Sequence, residues 1–142
     1  MTTSYSTAVR CLSLREHSRL ELKKKLSQKK FSAEEIEETL TQLIKYDLQS
    51  DERFSESYVR YRRQAGFGPI RIAMELAERG VAESLIDAFV DAQSVDWQKH
   101  MIAVFQKKFS AKSKDTQGLA KQFRFLSHRG FSAEMINHYL LL

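Results

Sequence analysis

FSAEEIEETL, residues Phe31–Leu40, opens on an aromatic side chain, then a serine, then acids, then apolar residues at helical spacing. Nearly the same pattern returns as VAESLIDAFV from Val81 and as FSAEMINHYL from Phe131, fifty residues apart each time. A fixed period of that length marks one structural unit laid down repeatedly. In the first copy Ser32 is placed as a helix N-cap, with Glu35 at the third helical position. Ser-x-x-Glu is a capping box, in which each side chain satisfies the other's free backbone N–H. Phe31 then precedes the cap and Ile36 falls at the fourth helical position, a hydrophobic staple that fixes how the chain enters the helix. Glu34, Glu35, Glu37 and Glu38 lie near the positive end of the helix dipole, where acids are favoured.

The third copy keeps the staple, Phe131 with Ile136, and the cap Ser132, but has Met135 in place of the box glutamate. The second keeps Val81 with Ile86 and has Ala82 at the cap. The repeat therefore specifies a packing geometry more than a capping chemistry. Upstream, Leu26, Leu76 and Leu126 each stand five residues before the staple, with Leu22 and Ile72 one turn earlier. Lys29, Arg79 and Arg129 stand two before it. Gly80 and Gly130 stand immediately before it and predict a left-handed helix stop. Lys30 takes that place in the first copy, so the first stop is expected to differ. Pro69 after Gly68 predicts a helix start.

Each copy is preceded by a one-faced helical pattern: Tyr5–Leu14, Arg53–Arg63 and Trp97–Phe109. The whole predicts three helix-turn-helix-like units of three helices, at residues 1–47, 48–93 and 94–142. Turns fall near 16–18, 30–32, 47–51, 65–69, 80–82, 94–96, 110–116 and 130–132. The segment SAKSKDTQG, residues 110–118, reads as a polar, mobile connection. Five glycines and one proline are too few for an all-β chain and favour helices. The staples, leucines and aromatics read as core.

Net charge is +5, and the excess is uneven: residues 94–142 carry eight basic and three acidic side chains. A basic balance fits nucleic acid or an acidic protein surface. The single cysteine, Cys11, excludes an internal disulfide and reads as a packed thiol. MTTSYSTAVRCLSLR lacks the long apolar run of a secretory signal, and no window reaches the roughly 18 apolar residues of a membrane span. The expected location is the cytoplasm. His17, His100, His128 and His138 show no metal-ligand spacing, no glycine loop cradles phosphate, and Gly66-Phe67-Gly68 reads as a turn. Asp51 and Glu52 read as helix-start acids. No catalytic residue, metal or cofactor is expected.

Basic side chains are more suggestive. Lys23 and Lys24 avoid the Leu22–Leu26 stripe. Arg60, Arg62, Arg63 and Arg71 bracket the AGFGP turn. Lys121, Arg124 and Arg129 lie on the corresponding third-copy helix. Superposed copies would align these groups into a positive stripe able to follow a polyanion, with salt-sensitive binding. The same residues also fit an ordinary solvated face.

DERFSESYVRYRR followed by GFGPIRIAMELAERGV resembles the central signature of the RecX proteins, bacterial modulators of the RecA recombinase. REHSRLELKKKLSQKKF resembles their first-repeat motif and KQFRFLSHRGFSAEMI their third. The resemblance runs from about Ser6 to Leu140. It implies an all-α fold of three tandem three-helix repeats in an elongated, curved array. It also implies a monomer that binds RecA and RecA filaments on single-stranded DNA, can bind DNA, and inhibits RecA ATP hydrolysis, strand exchange and coprotease activity. The contact candidates are Lys23, Lys24, Arg60, Arg63, Arg71, Lys121, Arg124 and Arg129. Lys30 and Glu52 depart from the family's glycine and aspartate. An alternative is a tandem helix-turn-helix DNA binder acting without RecA. Its candidate recognition helices, such as Ser32–Tyr46, are acidic at their first turns, which is unfavourable beside phosphate. A generic helical scaffold is a third reading.

Overall fold

The structure, a computed structural model, describes residues 2–142. The described residues form nine α-helices and no strand: α1 Ser4–Leu14, α2 Arg19–Gln28, α3 Ala33–Lys45, α4 Asp51–Gln64, α5 Pro69–Glu78, α6 Glu83–Val90, α7 Asp96–Lys108, α8 Thr116–Arg129 and α9 Ala133–Leu140. None is long and apolar enough to cross a membrane. The predicted turns coincide with the observed breaks to within a few residues.

The repeat is reproduced at the level of single hydrogen bonds. At the end of α2 the Phe31 N–H donates to Leu26 O at 3.3 Å and the Lys30 N–H to Ser27 O at 2.9 Å. At the end of α5 the pairs are Val81 to Leu76 at 3.2 Å and Gly80 to Ala77 at 3.0 Å. At the end of α8 they are Phe131 to Leu126 at 3.2 Å and Gly130 to Ser127 at 3.0 Å. This is the Schellman arrangement, which satisfies the last helical carbonyls and needs a left-handed residue. Gly80 and Gly130 supply it with φ of 80° and 102°, and Lys30 adopts it too, with φ of 68°. The expected difference at Lys30 is thus absent from the geometry; the lysine bears the steric strain instead.

By packing, the chain falls into two compact units. The first comprises the chain up to Tyr58 with Leu76–Ile86, and the second comprises Val59–Glu75 with Asp87–Leu142. In the first, Ala8, Leu22, Leu26, Ile36, Leu40 and Leu43 form a buried cluster, with Tyr5, Cys11, Leu12 and Phe31 packed against it. Val81 and Ile86 are also buried. Both helical entries Thr3 and Ser18 make complete capping boxes, with Ser6 and Glu21 respectively. The box expected at Ser32 is half made: its hydroxyl accepts the Glu35 N–H at 3.1 Å, while the Glu35 carboxylate turns to that hydroxyl at 3.3 Å.

Asp51 does more than start α4. Its Oδ1 accepts the Arg19 N–H at 2.9 Å, supplying an acceptor to the first turn of α2. The buried Gln49 amide steadies that carboxylate at 2.9 Å and donates to His17 O at 3.2 Å. His17 is itself buried; its Nδ1 faces Arg15 O and its Nε2 faces the Lys25 ammonium, both at 3.0 Å. A carbonyl only accepts and an ammonium only donates, so the ring is the neutral Nδ1–H tautomer.

In the second unit Trp97, Met101, Phe105, Leu126, Phe131, Ile136 and Leu140 are buried. The Trp97 indole N–H donates to Val90 O at 2.8 Å, and Phe105 meets Tyr139 edge-on at 5.2 Å. The loop before α8 differs from the mobile connection expected. The Gln122 amide accepts from the Ser113 N–H and donates to Ala111 O, each at 3.0 Å, and Asp115 caps α8 at the Gly118 N–H. A side chain nine residues beyond Ser113 and eleven beyond Ala111 thus fastens a segment whose own composition gives no sign of it.

Candidate anion-binding surface

The second unit builds its positive surface around the short Gly66–Gly68 turn. Gly66, with φ of 93°, stops α4, and Gly68 approaches the end of α8 so closely that an added Cβ would lie 2.6 Å from Gly130 O. The Gly68 N–H donates to Arg129 O at 2.7 Å and the Ile70 N–H to Gly130 O at 2.9 Å. That contact holds Phe67 beside the last turn of α8.

Three guanidinium groups surround the Phe67 ring: Arg62 at 3.9 Å from its centroid, Arg71 at 4.5 Å and Arg129 at 4.9 Å. Cations are drawn to the negative face of an aromatic ring, and stacking leaves the guanidinium edge available for hydrogen bonds. Glu75 offsets part of the charge. It takes Arg62 through two bonds of 2.8 and 2.9 Å and Arg71 through one of 3.2 Å. Arg71 also donates to His128 O at 3.1 Å and Arg129 to Ala65 O at 3.1 Å. These bonds fix where the arginines stand.

On α8, Lys121, Phe125 and Arg129 follow one another at four-residue spacing and so share a face. With Phe67, Arg71, Arg124 and His128 they line a shallow recess of about 380 Å³. A second recess of about 400 Å³ shares Phe125 and Arg129 and adds Lys107, Lys108 and His100. No Asp or Glu lines either recess. Lys121 and Arg124 are exposed, and no ion pair among the described residues engages them. Burial and the nearby Arg63 charge hold the His100 imidazole below its ordinary pKa, with a backbone bond at Phe67 opposing. The second recess therefore gains no charge from it at neutral pH.

Four of the eight sequence candidates, Arg71, Lys121, Arg124 and Arg129, thus meet in one recess. The others do not join them there. Arg63 stacks on Trp97 at 4.7 Å and donates to Asp96 O at 3.4 Å. Arg60 is exposed on α4. In the first unit Lys23 pairs with Glu37 at 3.6 Å and Lys24 is exposed on α2. Sequence reasoning missed Phe67, Phe125, Lys107 and Lys108 as members of the surface. The four-residue spacing of Lys121, Phe125 and Arg129 was the available signal for Phe125; nothing local marks Phe67 as more than a turn residue.

Residues 5–43, 50–89 and 96–140 match, in order, the first, second and third three-helix domains of RecX. The chain belongs to the RecX family. The regulatory protein RecX of Pseudomonas fluorescens is 43% identical over 135 residues, covering 94% of this chain and 87% of the relative. That of Pseudomonas entomophila is likewise 43% identical with the same coverage. The crystal structure of RecX from Lactobacillus salivarius is similar with a TM-score of 0.74 and 25% identity, covering 95% of this chain and 90% of that one. The RecX relatives are named as regulatory proteins, and the family assignment covers all three repeats.

Proposed function

We propose that this RecX-family protein binds the RecA recombinase, chiefly as its filament on single-stranded DNA. It modulates ATP hydrolysis, strand exchange and coprotease activity there, mainly by inhibition, in DNA repair and the SOS response. It acts in the cytoplasm, as a monomer, through binding alone and without a cofactor. The three repeats divide at 1–47, 48–93 and 94–142. The observation that carries this reading is the gathering of Arg71, Lys121, Arg124 and Arg129 at one recess that no acid lines. A filament repeats identical subunits along a polyanion, so modest contacts made by successive repeats add through effective concentration. Sequence-selective duplex reading by α3 is disfavoured, because Glu34 and Glu35 lie exposed in its first turn.

Titration of the purified protein into RecA, single-stranded DNA and ATP tests the proposal. A fall in hydrolysis at substoichiometric protein is expected. Unaltered hydrolysis at every ratio would refute it.

A further inference from the structure

The joint between consecutive repeats has the same two faces in both units. One is the end of a repeat's second helix, whose last carbonyls accept. The other is the start of the second helix in the repeat before it, which donates. In the second unit Arg129 O and Gly130 O take the Gly68 and Ile70 N–H groups at 2.7 and 2.9 Å. In the first unit Arg79 O takes the Ser18 hydroxyl at 2.8 Å. Both joints need a helix stop that lacks a side chain. A Cβ on Gly130 would lie 2.7 Å from Arg71 N, and one on Gly80 would lie 2.8 Å from the Leu20 Cβ.

One further face of each kind exists, at the end of α2 and at the start of α8, and each is closed by a departure from the repeat. The end of α2 reads Ser27-Gln28-Lys29-Lys30-Phe31, against Ser127-His128-Arg129-Gly130-Phe131 at the joined end of α8. Phe31 is only half-buried, whereas Phe131 is buried with Gly68 against its ring. Lys30 holds the left-handed conformation, φ 68°, but carries the Cβ that both glycines lack. At the other face, α8 begins at Thr116, three residues ahead of the register set by Arg19 in α2 and Pro69 in α5. That added turn occupies the donors of the joint. The Gly118 N–H, counterpart of the Gly68 N–H, goes to Asp115 Oδ1 at 2.6 Å. Ala120, counterpart of Ile70, lies inside the helix, where N–H groups already have helical partners. The Ser113 side chain also lies over Gly118, so that an added Cβ there would come within 2.5 Å of the serine Cβ.

We infer that Lys30 and the Ser113–Gly118 turn are paired stops that prevent one copy of this chain from adding end to end to a second copy. The two faces of the joint differ from each other, so open ones would propagate from copy to copy instead of closing as a symmetric dimer. Repeat arrays need closed ends for the same reason. The inference goes beyond the proposed regulation of RecA and does not rest on it.

Sedimentation velocity on full chains tests it. The α8 face is opened by D115A/T116G/Q117F/L119P, which copies the AGFGP of residues 65–69 into 115–119. Where circular dichroism shows that this graft does not fold, the milder S113G/D115A, which clears Gly118 and its N–H, takes its place. With K30G added, the opened chain should self-associate. Its weight-average mass should rise about threefold or more over about a hundredfold range of concentration, and pass beyond the dimer. K30G alone, the opening alone, and the opening with K30A, which keeps the Cβ, should each stay monomeric. A folded, opened K30G chain that remains monomeric at every concentration would overturn the proposal. Association of the opened chain with K30A would overturn the role of the Lys30 Cβ, and association of K30G alone would overturn the role of the α8 turn. An assembly that stops at a dimer would overturn the end-to-end joint.

Discussion

The Gly68 N–H donates to the Arg129 carbonyl at 2.7 Å, across 61 residues of chain. Fifty residues earlier, Ser18 makes the same connection, its hydroxyl donating to the Arg79 carbonyl at 2.8 Å across the same separation. In both cases the end of one repeat's second helix docks on the start of the second helix of the repeat before it. The position that follows is matched to its surroundings: Arg19 has an N–H and finds Asp51, whereas Pro69 has none to satisfy. Gly80 likewise abuts Leu20, where an added Cβ would come within 2.8 Å of the leucine Cβ.

Gly68→Ala should therefore cost about 1–3 kcal/mol, the usual penalty of forcing an atom into packed space. The opposing atoms are Gly130 backbone, which cannot swing aside. Urea denaturation followed by Trp97 fluorescence measures it. A midpoint equal to that of the parent protein would show that the two backbones are not in contact.

Lys30→Gly should stabilise the protein by roughly 0.5–1 kcal/mol. The lysine holds a left-handed conformation that disfavours any side chain by about 1–2 kcal/mol, and glycine returns part of that through its freer unfolded chain. Thermal melting would register the gain as a rise of a few degrees; a fall would mean that the lysine side chain contributes more than its backbone costs.

Phe131→Ala should cost about 3–5 kcal/mol, since the ring is 2% exposed and leaves a cavity. Phe31→Ala, at the same place in the first repeat, should cost clearly less because that ring is only half-buried. Equal losses at the two positions would contradict the difference in burial.

Lowering the pH should destabilise the fold from about neutrality downward. Burial depresses both His17 and His100 below the ordinary value of 6.5; at His17 the Arg15 and Lys25 charges add to burial and a backbone bond opposes it. The unfolded chain then binds more protons than the folded one, so stability is complete above pH 6.5 and is lost as pH falls through it toward the folded values. Denaturation midpoints across pH 5 to 8 check this. A flat profile there would mean that neither imidazole is held neutral.

Glu75→Gln should destabilise the second unit by about 1.5–3 kcal/mol, the range for hydrogen bonds to charged groups. The same variant should bind polyanions more tightly, because Arg62 and Arg71 lose the carboxylate they share. Oligonucleotide titration beside a urea melt reads both effects. Tighter binding without destabilisation would mean that the ion pairs serve only to mask charge.

The periodicity at Phe31, Val81 and Phe131 located the last two helices of each unit and the break between them, and the one-faced pattern before each copy located the first, because staple, leucine stripe and helix stop are all local in sequence. The family resemblance rested on the motifs themselves, DERFSESYVRYRR and GFGPIRIAMELAERGV above all. What the sequence did not disclose was where long-range partners lie. Asp51 reads as an ordinary helix-start acid, yet it serves α2. Residues 110–118 read as a loose tether, yet Gln122 fastens them. Phe67 reads as turn filler, yet it gathers three arginines. Lys121, Arg124 and Arg129 announced a basic face, but only packing decided that Arg71 joins them while Lys23 turns to Glu37. A helix follows from neighbours three and four residues away. A recess such as this one depends on side chains some sixty residues apart, and those distances are set only when the helices pack.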